Sequence, residues 1–217
     1  MTKKNEIRKI IEILLSFRGD KIGEYCEKKI DQGIDPYKIF GELSLGLDEI
    51  GKGFEDKKFQ RYFTSDLIVS GKNMKKAVEI LKKYLKKSLK TKGSVVIGTI
   101  KGDVHDIGKM IFTITLESNG FKVTDLGVDV DKELFIEKIK EKKPNILGMS
   151  ALLTSTISYM GEVIEQLKME NLRDNVKVIV GGNAVTENFA MKIGADAFGK
   201  NSIDGLKKCL DFIEAQK

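Results

Sequence analysis

One histidine occurs in the whole chain, His105, and it lies in Gly102-Asp103-Val104-His105-Asp106-Ile107-Gly108. Neutral imidazole binds a metal through one ring nitrogen, and its other nitrogen commonly donates to a carboxylate that fixes tautomer and basicity. Asp103 and Asp106 flank His105 and can supply that carboxylate. A chain with one histidine builds no polyhistidine site. A metal bound here therefore takes its other ligands from carboxylates, water or a cofactor. The same residues also suit an ordinary solvated loop, so their meaning depends on what else the fold brings to them.

The bulk composition excludes several classes. Hydrophobic residues at 41% and charged residues at 32% suit a soluble globular protein. No apolar run approaches the roughly 18 residues that span a membrane, and residues 1–19 lack a secretory leader pattern. Cys26 and Cys209 lie far apart without CxxC spacing, which argues against a disulfide or zinc site and for a reducing cytoplasmic setting. The net charge of +6 comes from scattered lysines without interleaved aromatics, a solvated surface and not a nucleic-acid footprint.

The elements that must position His105 follow from hydrophobic period. Residues 5–17 carry Ile7, Ile10, Ile11, Leu14 and Leu15 on one helical stripe. A second helix over residues 20–31 stops at Gly33, and Asp35-Pro36 opens a third bearing Phe40, Leu43, Leu47, Ile50 and Phe54. A fourth runs over residues 62–85. Four antiparallel helices make a bundle. The charged, weakly apolar residues 86–93 read as a linker. Strands at residues 94–99, 121–125, 145–150, 176–180 and 195–198 then alternate with helices at 107–118, 131–142, 156–170, 186–193 and 202–215. This predicts an α/β domain: a flavodoxin-like, Rossmann-type five-stranded parallel sheet of order 2-1-3-4-5, at residues 93–217, behind a helical bundle at residues 1–88.

In such a sheet ligands bind beyond the carboxyl ends of the strands, where the strand order reverses. The loop after strand 1 holds Asp103 and His105. The loop after strand 3 is Ser150-Ala151-Leu152-Leu153-Thr154-Ser155-Thr156, and the loop after strand 4 is Gly181-Gly182-Asn183. Separately, the hydroxyls are candidate helix caps and the glycines a candidate turn. Together on one rim, beside the only histidine, they read as a site.

Asp103-x-His105-x-x-Gly108, then 41 residues, Ser150-x-Leu152, then 28 residues, and Gly181-Gly182 resembles the cobalamin-binding signature DxHxxG…SxL…GG. Bundle included, the chain resembles the corrinoid proteins of methyltransferase systems and the cobalamin-binding module of methionine synthase. The resemblance implies that His105 is the metal ligand, replacing the nucleotide base below cobalt, and that Asp103 accepts its other N–H. A hydroxyl of the strand-3 loop, Thr156 by position with Ser155 adjacent, would extend this relay. Ser150 and Leu152 would line the slot for the displaced nucleotide tail. Gly108, Gly181 and Gly182 would leave room for that tail, and Gly102, Val104, Asp106, Ile107 and Thr154 would complete the cofactor contacts. The bundle would cap the upper corrin face, with Leu67, Ser70 and Met74 on the covering surface.

The resemblance further implies a carrier with little turnover of its own. It would shuttle a methyl group between a substrate-specific methyltransferase and a second, acceptor methyltransferase, through Co(I) and methyl-Co(III), and would be served by a reductive activation protein. A cobalamin-binding sensor without methyl transfer is the competing reading. A receiver-type phosphoacceptor is rejected, because strand 3 ends in Ser150 where an aspartate is required. A metal-dependent hydrolase would lack further histidine ligands.

Overall fold

The hydrophobic stripes become four helices in the first part of the chain: α1 (Lys3–Leu14), α2 (Asp20–Asp31), α3 (Pro36–Glu55) and α4 (Thr64–Lys82). The computed structural model describes residues 3–18, 20–56, 59–84 and 91–215. Residues 85–90, which include most of the expected linker, lie outside the described residues, as do 57 and 58 in the turn after α3. The chain divides into two compact units, Met1–Leu85 and Lys86–Lys217.

Each of the first four helices packs on the other three. Asp35 caps α3 by accepting from the Tyr37 amide at 2.8 Å, with Pro36 in the first turn, where its missing N–H costs nothing. The α1 helix ends at Leu14, three residues before the expected end, and Phe17 is 84% exposed. Its terminal carbonyls explain the stop. Buried Asn73 of α4 donates to the Leu14 and Ser16 carbonyls, each at 2.8 Å, satisfying groups that a helix end leaves open. Ser70 and Met74, expected on the covering surface, are instead fully buried, and the Ser70 hydroxyl donates to the Leu67 carbonyl. The exposed apolar residues near the start of α4 are Phe59, Phe63 and Ile68.

The second unit has strands β1 (Gly93–Thr99), β2 (Phe121–Asp125), β3 (Ile146–Ser150), β4 (Lys177–Gly181) and β5 (Ala197–Gly199). All pairings are parallel, in the expected order β2-β1-β3-β4-β5. Helices α5 (Ile107–Ser118), α6 (Lys132–Lys142), α7 (Ser158–Met169), α8 (Glu187–Lys192) and α9 (Ser202–Glu214) cover it. Burial on both faces makes the central strands apolar throughout. Val96, Leu147, Met149, Val178 and Val180 pack on the side of α6 and α7, whereas Val95, Ile97, Ile146 and Ile179 pack on the side of α5 and α9. This alternation fixes the register, because a slip of one residue would exchange the two faces.

Two departures bear on the site. Helix α7 starts at Ser158, two residues later than its hydroxyl-rich sequence suggests, and no side chain caps it. Strand β4 extends through Gly181, which pairs with Ser150, so Gly181 is a strand residue. A short 3₁₀ turn at Arg173–Asn175 also precedes β4.

Asn73→Ala is expected to destabilise the helical unit by about 1–3 kcal/mol, because the buried Leu14 carbonyl and the half-buried Ser16 carbonyl lose their donor. Urea unfolding followed by far-ultraviolet circular dichroism measures this. An unchanged midpoint would mean that water satisfies the end of α1 without Asn73.

Candidate functional site

The β1–α5 loop is organised around a carboxylate. Asp103 is fully buried, and a buried charge persists only if its oxygens find donors. Its Oδ1 accepts from the His105 amide at 3.1 Å and from His105 Nδ1 at 2.7 Å. Its Oδ2 accepts from the Leu152 and Leu153 amides at 2.7 and 3.1 Å. Burial alone pushes the Asp103 carboxyl up. The Leu152 amide, the His105 amide and imidazole, and the Leu153 amide outweigh burial and hold it below its ordinary value.

This accounts for the late start of α7. The amides of Leu152 and Leu153 point at Asp103, so the segment forms turns until the chain is free to coil at Ser158. The Thr156 hydroxyl donates to the Leu153 carbonyl at 2.9 Å and lies 3.5 Å from Asp103 Oδ2. Thr156 thus reaches the carboxylate with the longer of its two hydroxyl contacts, the shorter going to the loop backbone. The adjacent Ser155 is exposed.

With Nδ1–H facing a carboxylate, the neutral imidazole presents its lone pair at Nε2. The His105 side chain is 45% exposed, and Nε2 makes no hydrogen bond to any described residue. The Thr99 hydroxyl holds the His105 carbonyl at 3.1 Å, and Asp106 accepts from the Met110 amide at 2.7 Å as α5 begins. The loops that meet here also carry apolar side chains that face solvent: Val104, Leu152, Leu153 and Val128. Ile107 is half-buried and Thr154 exposed.

The glycines divide into two kinds. A β-carbon on Gly108 would meet nothing within 4 Å, so its exposed position opens onto free space next to His105. At Gly182, φ is +112° and a β-carbon would lie 2.0 Å from the Ala151 carbonyl oxygen. The expected room at Gly182 is therefore taken by the protein's own β3 loop. Gly181 similarly approaches the Gly199 carbonyl. At Gly102, with φ +80°, an added β-carbon would crowd the Thr156 methyl at 3.2 Å. Ser150 ends β3 between Thr99 and Gly181.

The sequence reading did not single out Thr99, Leu153, Val128 or Asp129. The Asp129 amide donates to the Asp103 carbonyl at 3.0 Å, and its Oδ1 accepts from the Gly102 amide at 2.8 Å. Strand order carried the signal: β2 flanks β1, so the loop after β2 must border the histidine loop.

Among the described residues no three His, Cys, Asp or Glu side chains gather as a metal cage. A metal at His105 must then bring most of its ligands with it. One outward imidazole, an apolar rim and open space at Gly108 suit a large planar, metal-bearing macrocycle, so the donor set fits a corrinoid.

Comparison with known proteins agrees. Two family models, each described as a B12 binding domain, match residues 93–204 and residues 6–82. Trimethylamine corrinoid protein 1 of Methanosarcina acetivorans is 38% identical over 211 residues, covering 95% of this chain and 96% of that protein. The monomethylamine corrinoid protein of Methanosarcina barkeri superposes with a TM-score of 0.86 at 30% identity, covering 97% and 99%. A chain of the methanol:cobalamin methyltransferase complex MtaBC from the same organism matches with a TM-score of 0.55 at 28% identity, covering 98% and 81%.

Two stability outcomes follow for the protein without cofactor. Gly182→Ala is expected to lower the melting temperature clearly, whereas Gly108→Ala, in open helical space, is expected to leave it unchanged or raise it. Equal losses would contradict the division of the glycines. For Asp103, the lowered carboxyl contributes stability that is present above its unfolded-state value, about 3.9, and lost as pH falls through the folded-state value. Wild type is therefore expected to exceed Asp103→Asn in stability at neutral pH, with the gap shrinking below about pH 4. A gap that survives strong acid would show that the carboxylate charge is not what holds the loops.

Proposed function

This chain belongs to the B12-binding corrinoid proteins, and on that premise we propose that it is the methyl carrier of a corrinoid-dependent methyltransferase system. Bound corrinoid supplies a cobalt centre that accepts and releases a methyl group, alternating between Co(I) and methyl-Co(III). The protein's own residues ligate, orient and shield.

The observation that carries this reading is the fully buried Asp103 carboxylate, 2.7 Å from His105 Nδ1. It fixes the tautomer with Nε2 outward and raises the basicity of that nitrogen. Nε2 of His105 would then hold the cobalt in place of the nucleotide base. Because Asp103 is tied to three backbone amides, the imidazole could strengthen or weaken its hold without the loop moving. The space at Gly108, with Ser150 and Leu152, would receive the nucleotide tail. Val104, Leu152, Leu153 and Val128 would lie against a bound macrocycle and keep water from it. Gly181 and Gly182 also let the loops after β3 and β4 approach each other, since a β-carbon at either would meet backbone.

Residues 1–88 act as the cap and residues 93–217 as the corrinoid domain; the separate B12-binding matches to each region support this division. The partners are a substrate-specific methyltransferase, a second methyltransferase that accepts the methyl group, and a reductive activation protein. Relatives named for trimethylamine and monomethylamine favour a methylamine as donor. Burial pushes the Cys26 and Cys209 thiols up to about 12, so neither is a reactive thiolate, in keeping with a cytoplasmic carrier. No described helix is long and apolar enough to cross a membrane.

Reconstitution with cobalamin tests the core of this reading. Uptake near one to one is expected, with the nitrogen splitting of an axial imidazole in the paramagnetic Co(II) form. His105→Ala is expected to lose that splitting. Asp103→Asn is expected to cost about 10- to 100-fold in affinity or methyl transfer. Gly108→Val is expected to reduce uptake while the apo protein still melts normally. If benzimidazole nitrogen remains on cobalt in the wild-type protein, the ligand assignment fails. Loaded protein that accepts no methyl group from any methylamine methyltransferase would instead favour a sensor.

A further inference from the structure

The loop that presents His105 is held from a side the cofactor signature does not include. Asp129 lies in residues 126–130, after β2, with φ +54°, a left-handed conformation that among residues with a β-carbon suits Asn and Asp best. Its amide donates to the Asp103 carbonyl at 3.0 Å, and its carboxylate Oδ1 accepts from the Gly102 amide at 2.8 Å. One residue thus grips the peptide groups on both sides of the Gly102–Asp103 pair. Gly102 can present its amide this way because it too is left-handed, at φ +80°.

The gripping loop is itself anchored at both ends. At the far end, the Asp125 carboxylate accepts from the Gly127 amide at 2.9 Å and pairs with Lys109, whose side chain is almost fully buried. Lys109 sits on α5 four residues after His105, so the helix that follows the histidine also ties down the neighbouring loop. At the near end, Thr99 donates to the Gly127 carbonyl and accepts from the Val130 amide, both at 3.0 Å, and Ile100 bridges Val130. Asp129 is therefore the contact between a fixed loop and the two residues that set where the Asp103 carboxylate stands.

Resting on the assignment of His105 as the cobalt ligand, we propose that Asp129 is a positioning residue for that ligand, acting through Gly102 and Asp103. Its left-handed backbone aims the amide, and its side chain supplies the acceptor. Glycine would keep the conformation and lose the acceptor. Asparagine would keep both. Alanine would lose both.

Two measurements on Asp129→Gly, Asp129→Asn and Asp129→Ala test this. The first needs no cofactor: hydrogen exchange of the Gly102 amide, read by nuclear magnetic resonance. Exchange about 10-fold faster is expected in the Gly and Ala variants and near wild type in Asn. The second is the axial-nitrogen splitting of the cobalamin-loaded Co(II) protein, expected to weaken or broaden in Gly and Ala and to persist in Asn. Wild-type exchange at Gly102 in Asp129→Gly would overturn the proposal, as would an Asn variant as impaired as Gly. Faster exchange with unchanged splitting would overturn it too, since the bond would then steady the loop without placing the ligand. A wild-type protein that lacks imidazole splitting altogether would indict the assignment of His105, and the exchange measurement would still decide whether Asp129 holds the loop.

Discussion

A carboxylate with no access to water needs a donor for each oxygen, and the upper rim of this sheet is arranged around meeting that need for Asp103. Its donors come from the β1–α5 loop and from the loop after β3. Two segments separated by more than forty residues are thereby locked into one surface. The cost of burying one charge is offset by hydrogen bonds to it, each worth more than a neutral pair. The imidazole benefits indirectly: it is oriented by a group that cannot move without leaving amides unsatisfied.

The parallel sheet makes this possible. Strand β1 lies between β2 and β3, so the loops after all three strands must end side by side. Each approach is close. Gly182 passes the Ala151 backbone at a distance no β-carbon could tolerate, and a β-carbon at Gly102 would crowd Thr156. Rigid contacts of this kind place the site on loops without leaving it loose. The open space at Gly108 and the exposed Val104 and Leu152 mark where this packing stops and a ligand can begin.

A single protein ligand also suits a carrier. A cage of several side chains would hold a metal in one fixed geometry. One imidazole leaves most of the coordination to the cofactor, and its strength can be tuned through the hydrogen bond on its far side.

Much of this was legible in the sequence. The change from a helical to a strand–helix period gave the class of each unit, and the alternation of strands with helices implied a parallel sheet. Local chemistry gave the Asp35–Pro36 helix start and the boundaries of α5 and β2 to the residue. The spacing of Asp103, His105 and Gly108 pointed to a ligand with its supporting carboxylate, since those residues are neighbours in the chain. Other features depended on atoms distant in sequence. Nothing local tells that the amides of Leu152 and Leu153 serve Asp103 in place of the first turn of α7, or that the Thr156 hydroxyl lies closer to the Leu153 carbonyl than to Asp103. Nor does sequence alone separate Gly182, which admits another backbone, from Gly108, which admits open space. Spacing along the chain determined which groups could act. Only the packed structure decided which partner each one meets, because every donor and glycine had more than one use until the loops were brought together.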